Sequence, residues 1–192
     1  MSSRYGEVYA AWKKDPEAFW AEAAKGVEWS RLWDKVLDPY AGQYGRWFVG
    51  AQCNTAWNAL DRHVRDGRGD QLALIYDSPV TKTTKVYNYQ DLTHEVATLG
   101  GVLQDLGIKK GDRVIIYMPL TPEGIIAMLA CARIGAIHSV VFAGMGTQAL
   151  RSRIVDSGAK VIVATDYTFR RGKQQHIRAA LGELVRLDQF VL

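Results

Sequence analysis

The stretch RVIIYMPLTPEGIIAMLACARIGAIHSVVFAG, residues 113–144, decides the fold class. Val114–Met118 is an unbroken apolar run closed by Pro119, and a second run, Ser139–Ala143, follows a helical segment. Runs of this kind are what strands buried on both faces look like, because no position must meet water. Between them Thr121 is a helix N-cap, Pro122 takes the first helical position, Glu123 is a first-turn acid, and Gly135 ends the segment. Two buried strands joined by one helix imply a parallel pair with a right-handed crossover.

Working outward, the same alternation continues. Upstream, LALIYDS (72–78) and KVYNY (85–89), joined by PVTKTT, read as a hairpin, and 90–107 reads as a helix stopped by Gly107. Downstream come a helix at 147–158, a strand at 160–166, a helix at 174–184 and a core strand in DQFVL, 188–192. The sequence stops where a compact sheet is expected to continue, so exposed apolar surface and self-association are expected.

The first part of the chain differs in character. All six tryptophans lie between Trp12 and Trp57. Tyr5, Val8, Tyr9 and Trp12 recur at helical spacing, and Asp15 before Pro16 is an N-cap with proline at the first position, so short amphipathic helices fit this lead-in. A further helix is expected from Asn54 or Thr55 through Val64, ending near Gly67, before the glycine-rich DGRGDQ segment. The expected division is therefore a helical, aromatic-rich region at 1–70 and, at 71–192, an α/β region whose partial parallel sheet carries helices on its faces.

Composition narrows the function. The 192 residues carry a net charge of +4, 48% apolar and 23% charged residues, which is a globular balance and not a nucleic-acid-binding tail. The tryptophans are not interleaved with a basic stripe, so nucleic-acid binding is not expected. Cys53 and Cys131 lie far apart in unlike contexts, and none of the four histidines pairs at ligand spacing, so neither a disulfide framework nor a metal site is expected. The charged N-terminal segment has no apolar signal region and no run reaches a membrane-spanning length, which predicts a cytoplasmic protein.

In open α/β sheets ligands sit beyond the carboxyl ends of the strands, which selects three loops. The first, at Thr121–Gly124, is accounted for by helix capping. The second, Phe142-Ala143-Gly144-Met145-Gly146, gives a G-x-G-x-x-A pattern through Ala149, with Asp166 about 20 residues on, as a dinucleotide fingerprint asks. A glycine turn between strand and helix is also common for geometric reasons alone. The third loop leads into Arg170-Arg171-Gly172-Lys173, three cations around one glycine. Arginine offers a planar fork for phosphate oxygens and lysine a mobile charge, although a solvated surface cluster has the same pattern. Cys131, between two alanines in an apolar helix, reads as a core residue and not a nucleophile.

Taken in order, WFVGAQCNTAWNALDRHV, ALIYDSPVT, YNYQDL, the 109–144 segment and KVIVATDYTFRRGK resemble the N-terminal part of the AMP-forming short-chain acyl-CoA synthetases, the acetyl- and propionyl-CoA synthetase branch of the adenylate-forming superfamily. The likeness covers nearly the whole chain with order and spacing kept. It implies a ligase that makes an acyl-adenylate from a short-chain carboxylate and ATP with magnesium, then passes the acyl group to CoA. It places the cations that grip the phosphorylated nucleotide end of CoA on the Arg170, Arg171, Gly172, Lys173 motif, and the turn lining the CoA entrance on Phe142, Ala143 and Gly144. Lys173 stands where many members have arginine, which keeps the charge and loses the fork, and Ala143 stands where they have glycine. YDSP is closer to propionyl-CoA synthetases and RRGK to acetyl-CoA synthetases. By the resemblance, the triphosphate loop, the adenine and ribose contacts and the adenylation lysine fall outside these 192 residues. The chain alone is therefore expected to be inactive, with no catalytic residue of its own. A stand-alone CoA-binding or interaction module is the alternative.

Overall fold

A computed structural model describes residues 3–170, 172–177, 181–182 and 190–191. They fall into two compact units, Met1–Asn54 and Thr55–Leu192, a packing division that precedes the compositional shift near residue 70.

The first unit opens with helices α1 (Tyr5–Lys14) and α2 (Pro16–Ala23). Between them the Asp15 carboxylate accepts the Ala18 N–H at 2.9 Å, the cap its sequence context predicts. The rings of Tyr5, Tyr9 and Trp12 follow one another along a single face of α1, at 5.9 and 5.6 Å between centroids. The unit is not helical throughout, which corrects the expectation for this region. Lys35–Asp38 (β1) and Arg46–Val49 (β2) pair antiparallel, Leu37 opposite Trp47. The branched and aromatic residues of these strands suit a pleated surface, and glycines at positive φ, Gly42 and Gly45, turn the chain between them. Phe48 packs against Trp29, Trp33 and Trp47 at 5.5, 5.1 and 6.1 Å, and the Trp29 indole N–H donates to the Ala24 carbonyl. The half-buried Trp29 and Trp33 and the more exposed Trp47 thus pack as an aromatic cluster around Phe48.

The second unit begins with a helical segment whose turns, Trp57–Asp61 and Val64–Arg68, are π-helical. The expected helix is present, with a wider hydrogen-bond spacing than the α form, and it ends at Gly67 with φ +79°. Leu60 anchors it in the core, and Asp61 holds Arg133 at 2.7 Å. Strands β3 (Leu72–Ser78) and β4 (Thr83–Asn88) form the predicted hairpin. Helix α3 (Tyr89–Asp105) is capped by the Asn88 side chain, which accepts the Asp91 N–H at 2.7 Å.

Strand β5 (Arg113–Met118), helix α4 (Pro122–Ile134), strand β6 (Ile137–Phe142), helix α5 (Thr147–Ser157) and strand β7 (Val161–Ala164) follow in the predicted order. Tyr167–Arg170 (β8) and Lys173–His176 (β9) form a hairpin, and Phe190–Val191 (β10) pairs parallel with β7. The resulting parallel sheet has the order β10-β7-β5-β6. Period-two alternation splits its residues between two cores. Val114 and Ile116 of β5 with Val161 and Val163 of β7 pack under α3 and α4, through Leu92, Val96, Leu103, Ile126 and Ala130. Ile115, Tyr117, Ile162 and Ala164 face the other way, onto Leu150 of α5.

Two expectations are corrected here. The Ser139–Ala143 run does not form a strand buried on both faces, since among the described residues β6 pairs with β5 alone and, of its residues, only Val141 is buried while Ile137, Val140 and Phe142 are exposed. An edge strand has a neighbour on one side only, and its composition does not reveal that. Gln174–His176 are strand and not the start of a helix, because they pair with Tyr167–Phe169. Residues 178–180 and 183–184 of that expected helix lie outside the described residues.

Cys131 is fully buried in α4 and burial pushes its thiol up to about 11, whereas Cys53 is exposed. One equivalent of thiol should react with a disulfide reagent at neutral pH in the native chain and two after denaturation. Rapid native reaction at both cysteines would contradict the packing of α4.

Candidate functional site

The sheet brings the loops after β5, β6 and β7 to one end, where ligands of open α/β sheets bind. After β5, Thr121 adopts the extended backbone of an N-cap, but its buried hydroxyl makes no cap bond and instead lies beside the Glu123 carboxyl, helping to keep it charged. The predicted position is correct and the predicted side-chain bond is absent. Gly124 and Ile125 instead donate to the Thr121 carbonyl. Burial would raise the Glu123 carboxyl, but its own backbone N–H and the Lys85 ammonium outweigh that and hold it below the usual range. The Lys85–Glu123 pair, at 3.1 Å, ties β4 to the start of α4 and borders a cavity of about 800 Å³ also lined by Leu99, Ala164 and Asp166. These residues come from four separate segments, so no local pattern marks the cavity in the sequence.

The turn after β6 is tight. Met145 N–H donates to the Phe142 carbonyl at 2.9 Å, and a Cβ on Gly144 would fall 2.5 Å from the Phe142 ring. A side chain at position 144 would thus have to displace the exposed Phe142 ring, while a Cβ on Gly146 would meet nothing, and Gly146 serves as the backbone N-cap of α5. Phe142 is exposed, whereas Ala143 is buried with its side chain in the core below α5. The methyl that departs from glycine in the family pattern therefore packs inward.

After β7, the Ile177 N–H donates to the Asp166 carbonyl at 2.9 Å and closes the base of the β8–β9 hairpin. Arg170 and Lys173 are paired directly across its end, and Gly172, at φ +74°, occupies a turn position that favours glycine. Arg171 lies outside the described residues, and Arg170 is described by its strand position. The structure thus sets the first and last cations of the motif opposite one another, a relation that reading the segment as a loop had missed. The root of this hairpin, through Ile177 and Ala164, and the turn after β6, through Ala143, share one core. Among the described residues no group of three or more His, Cys, Asp or Glu could hold a metal ion, and no helix is long and apolar enough to cross a membrane.

The family model described as AMP-binding enzyme matches residues 60–190, and the chain belongs to that family. A second model, described as acetyl-coenzyme A synthetase N-terminus, matches residues 5–59. It is 42% identical over 187 residues to acyl-CoA synthetase short-chain family member 3, mitochondrial, of Homo sapiens, covering 97% of this chain and 27% of that protein. It is 44% identical over 180 residues to acetyl-coenzyme A synthetase of Mycolicibacterium smegmatis, covering 94% of this chain and 19% of the relative. Among solved structures, acetoacetyl-CoA synthetase from Streptomyces lividans superposes with a TM-score of 0.83 at 28% identity, over 92% of this chain and 27% of that one. The chain thus spans about a quarter of the length of such relatives.

Proposed function

We propose that this chain carries part of the CoA-binding face of an AMP-forming acetyl- or propionyl-CoA synthetase. In that reaction a carboxylate and ATP give an acyl-adenylate and pyrophosphate, and the CoA thiol then displaces AMP to give acyl-CoA. The observation that carries the reading is the register of Arg170 opposite Lys173. Like charges directly opposite on a ladder repel, and an anion bound between them turns that repulsion into attraction. Gly172 lies in the turn between them, Arg171 is read with them as a further cation of the motif, and Phe142, Ala143 and Gly144 are read as the neighbouring CoA-side turn. In relatives of full length ATP and magnesium supply the activation chemistry. The free Cys53 and Cys131 suit a reducing, cytoplasmic compartment, and the exposed apolar residues of β6 support self-association of the isolated chain.

The test is titration of the chain with CoA and with dephospho-CoA, which lacks the 3′-phosphate. Arg170→Ala and Lys173→Ala should each weaken CoA binding about tenfold, or ~1.4 kcal/mol, and leave dephospho-CoA unchanged. Equal affinity of the unaltered chain for the two ligands would overturn the assignment of these cations to the phosphate.

A further inference from the structure

Tyr117 is the one residue of the β5 apolar run with a polar tip, and it lies 3% exposed among Ile115, Val141, Leu150, Ile162 and Ala164. Its hydroxyl donates to the Met145 carbonyl at 2.9 Å and lies 3.4 Å from the Ala143 carbonyl. A phenol carries a single proton, so the shorter contact is the full hydrogen bond and the longer a weak second arm. Both acceptors belong to the turn after β6. Burial pushes the phenol above its ordinary range, so it stays protonated and remains a donor.

We propose that Tyr117 is a positioning residue whose hydroxyl fixes the Ala143–Met145 turn from beneath, setting the path of backbone against which CoA runs. The last clause rests on reading Phe142–Gly144 as CoA-facing. A Met145 N–H to Phe142 carbonyl bond closes the turn from within, and the phenol ties it to the centre of the sheet. With the Ala143 and Met145 carbonyls drawn toward the core, trans planar peptides direct the following N–H groups, of Gly144 and Gly146, away from it. The sheet thereby dictates which edge of the turn faces outward.

Tyr117→Phe keeps the ring and removes the donor. In the 192-residue chain, amide exchange at residues 143–146 should rise about tenfold relative to amides of β5, and CoA and dephospho-CoA should lose affinity by the same factor. Equal loss is expected because the two ligands differ only at the phosphate, away from this turn. Unchanged exchange at 143–146 relative to β5, or a uniform rise across the sheet, would overturn the positioning role. Looser turn amides with CoA affinity unchanged would keep that role and remove the CoA-facing reading of the turn. If the unaltered chain binds neither ligand, the exchange ratio alone decides the positioning role.

Discussion

Leu103→Ala is expected to destabilise the second unit by about 3 kcal/mol, within the range of about 2–5 for a buried leucine. Leu103 is fully buried on α3, in the core formed with Val96, Ile108, Val114 and α4. The cost has two parts: the lost transfer energy of the removed methyl groups, and the void left because β5 and α4 cannot collapse onto it. Against a total of roughly 5–15 kcal/mol this is a large fraction, and it should lower the melting temperature by roughly 6–12 °C. Denaturant unfolding followed by circular dichroism would show the midpoint fall with an unchanged slope. Leu106→Ala is the control, since Leu106 is 47% exposed just past the end of α3 and should cost less than about 0.5 kcal/mol. Equal effects of the two substitutions would mean that α3 does not pack on the sheet as described.

Arg113→Ala should cost about 2–3 kcal/mol although it removes no core side chain. The Arg113 guanidinium donates through Nε to the Ser157 carbonyl at 2.6 Å and through a terminal nitrogen to the Gly158 carbonyl at 3.1 Å. These carbonyls close the C-terminus of α5, where the helix leaves acceptors unpaired and carries partial negative charge. A cation there satisfies both needs and ties α5 to the start of β5. Arg113→Lys should recover less than half the loss, because an ammonium lacks the fork that spans two acceptors. Full recovery by lysine in thermal unfolding would show that charge alone, without the fork, does the holding.

How much of this was legible beforehand differs by element. The central strands could be read directly, because β5 and β7 are flanked on both sides and covered on both faces, so the runs Val114–Met118 and Val161–Ala164 are apolar. The hairpin β3–β4 and helices α3 and α4 announce themselves through turn residues, caps and periodicity that act within a few residues. The aromatic lead-in was misread in part because the pairing that makes β1 and β2 strands joins residues such as Leu37 and Trp47, on either side of a loop. At the candidate site, the cations and the glycine turn stand out from residue chemistry, but the opposition of Arg170 and Lys173 depends on a hairpin whose second strand has the local pattern of a helix start. Tyr117 carried a detectable signal, a hydroxyl in an otherwise apolar run, without any indication of which carbonyl it would meet.

By itself, then, the sequence determined the class of fold, the order of its central elements and the family, because backbone capping, side-chain period and motif order are local properties of the chain. Tertiary structure alone decided that β6 is an edge with only Val141 buried, that Ala143 points into the core, and that a buried phenol holds the turn beside it. Those facts depend on which strand lies next to which, and strand neighbours in the order β10-β7-β5-β6 are chosen by burial shared across the sheet, not by adjacency along the chain.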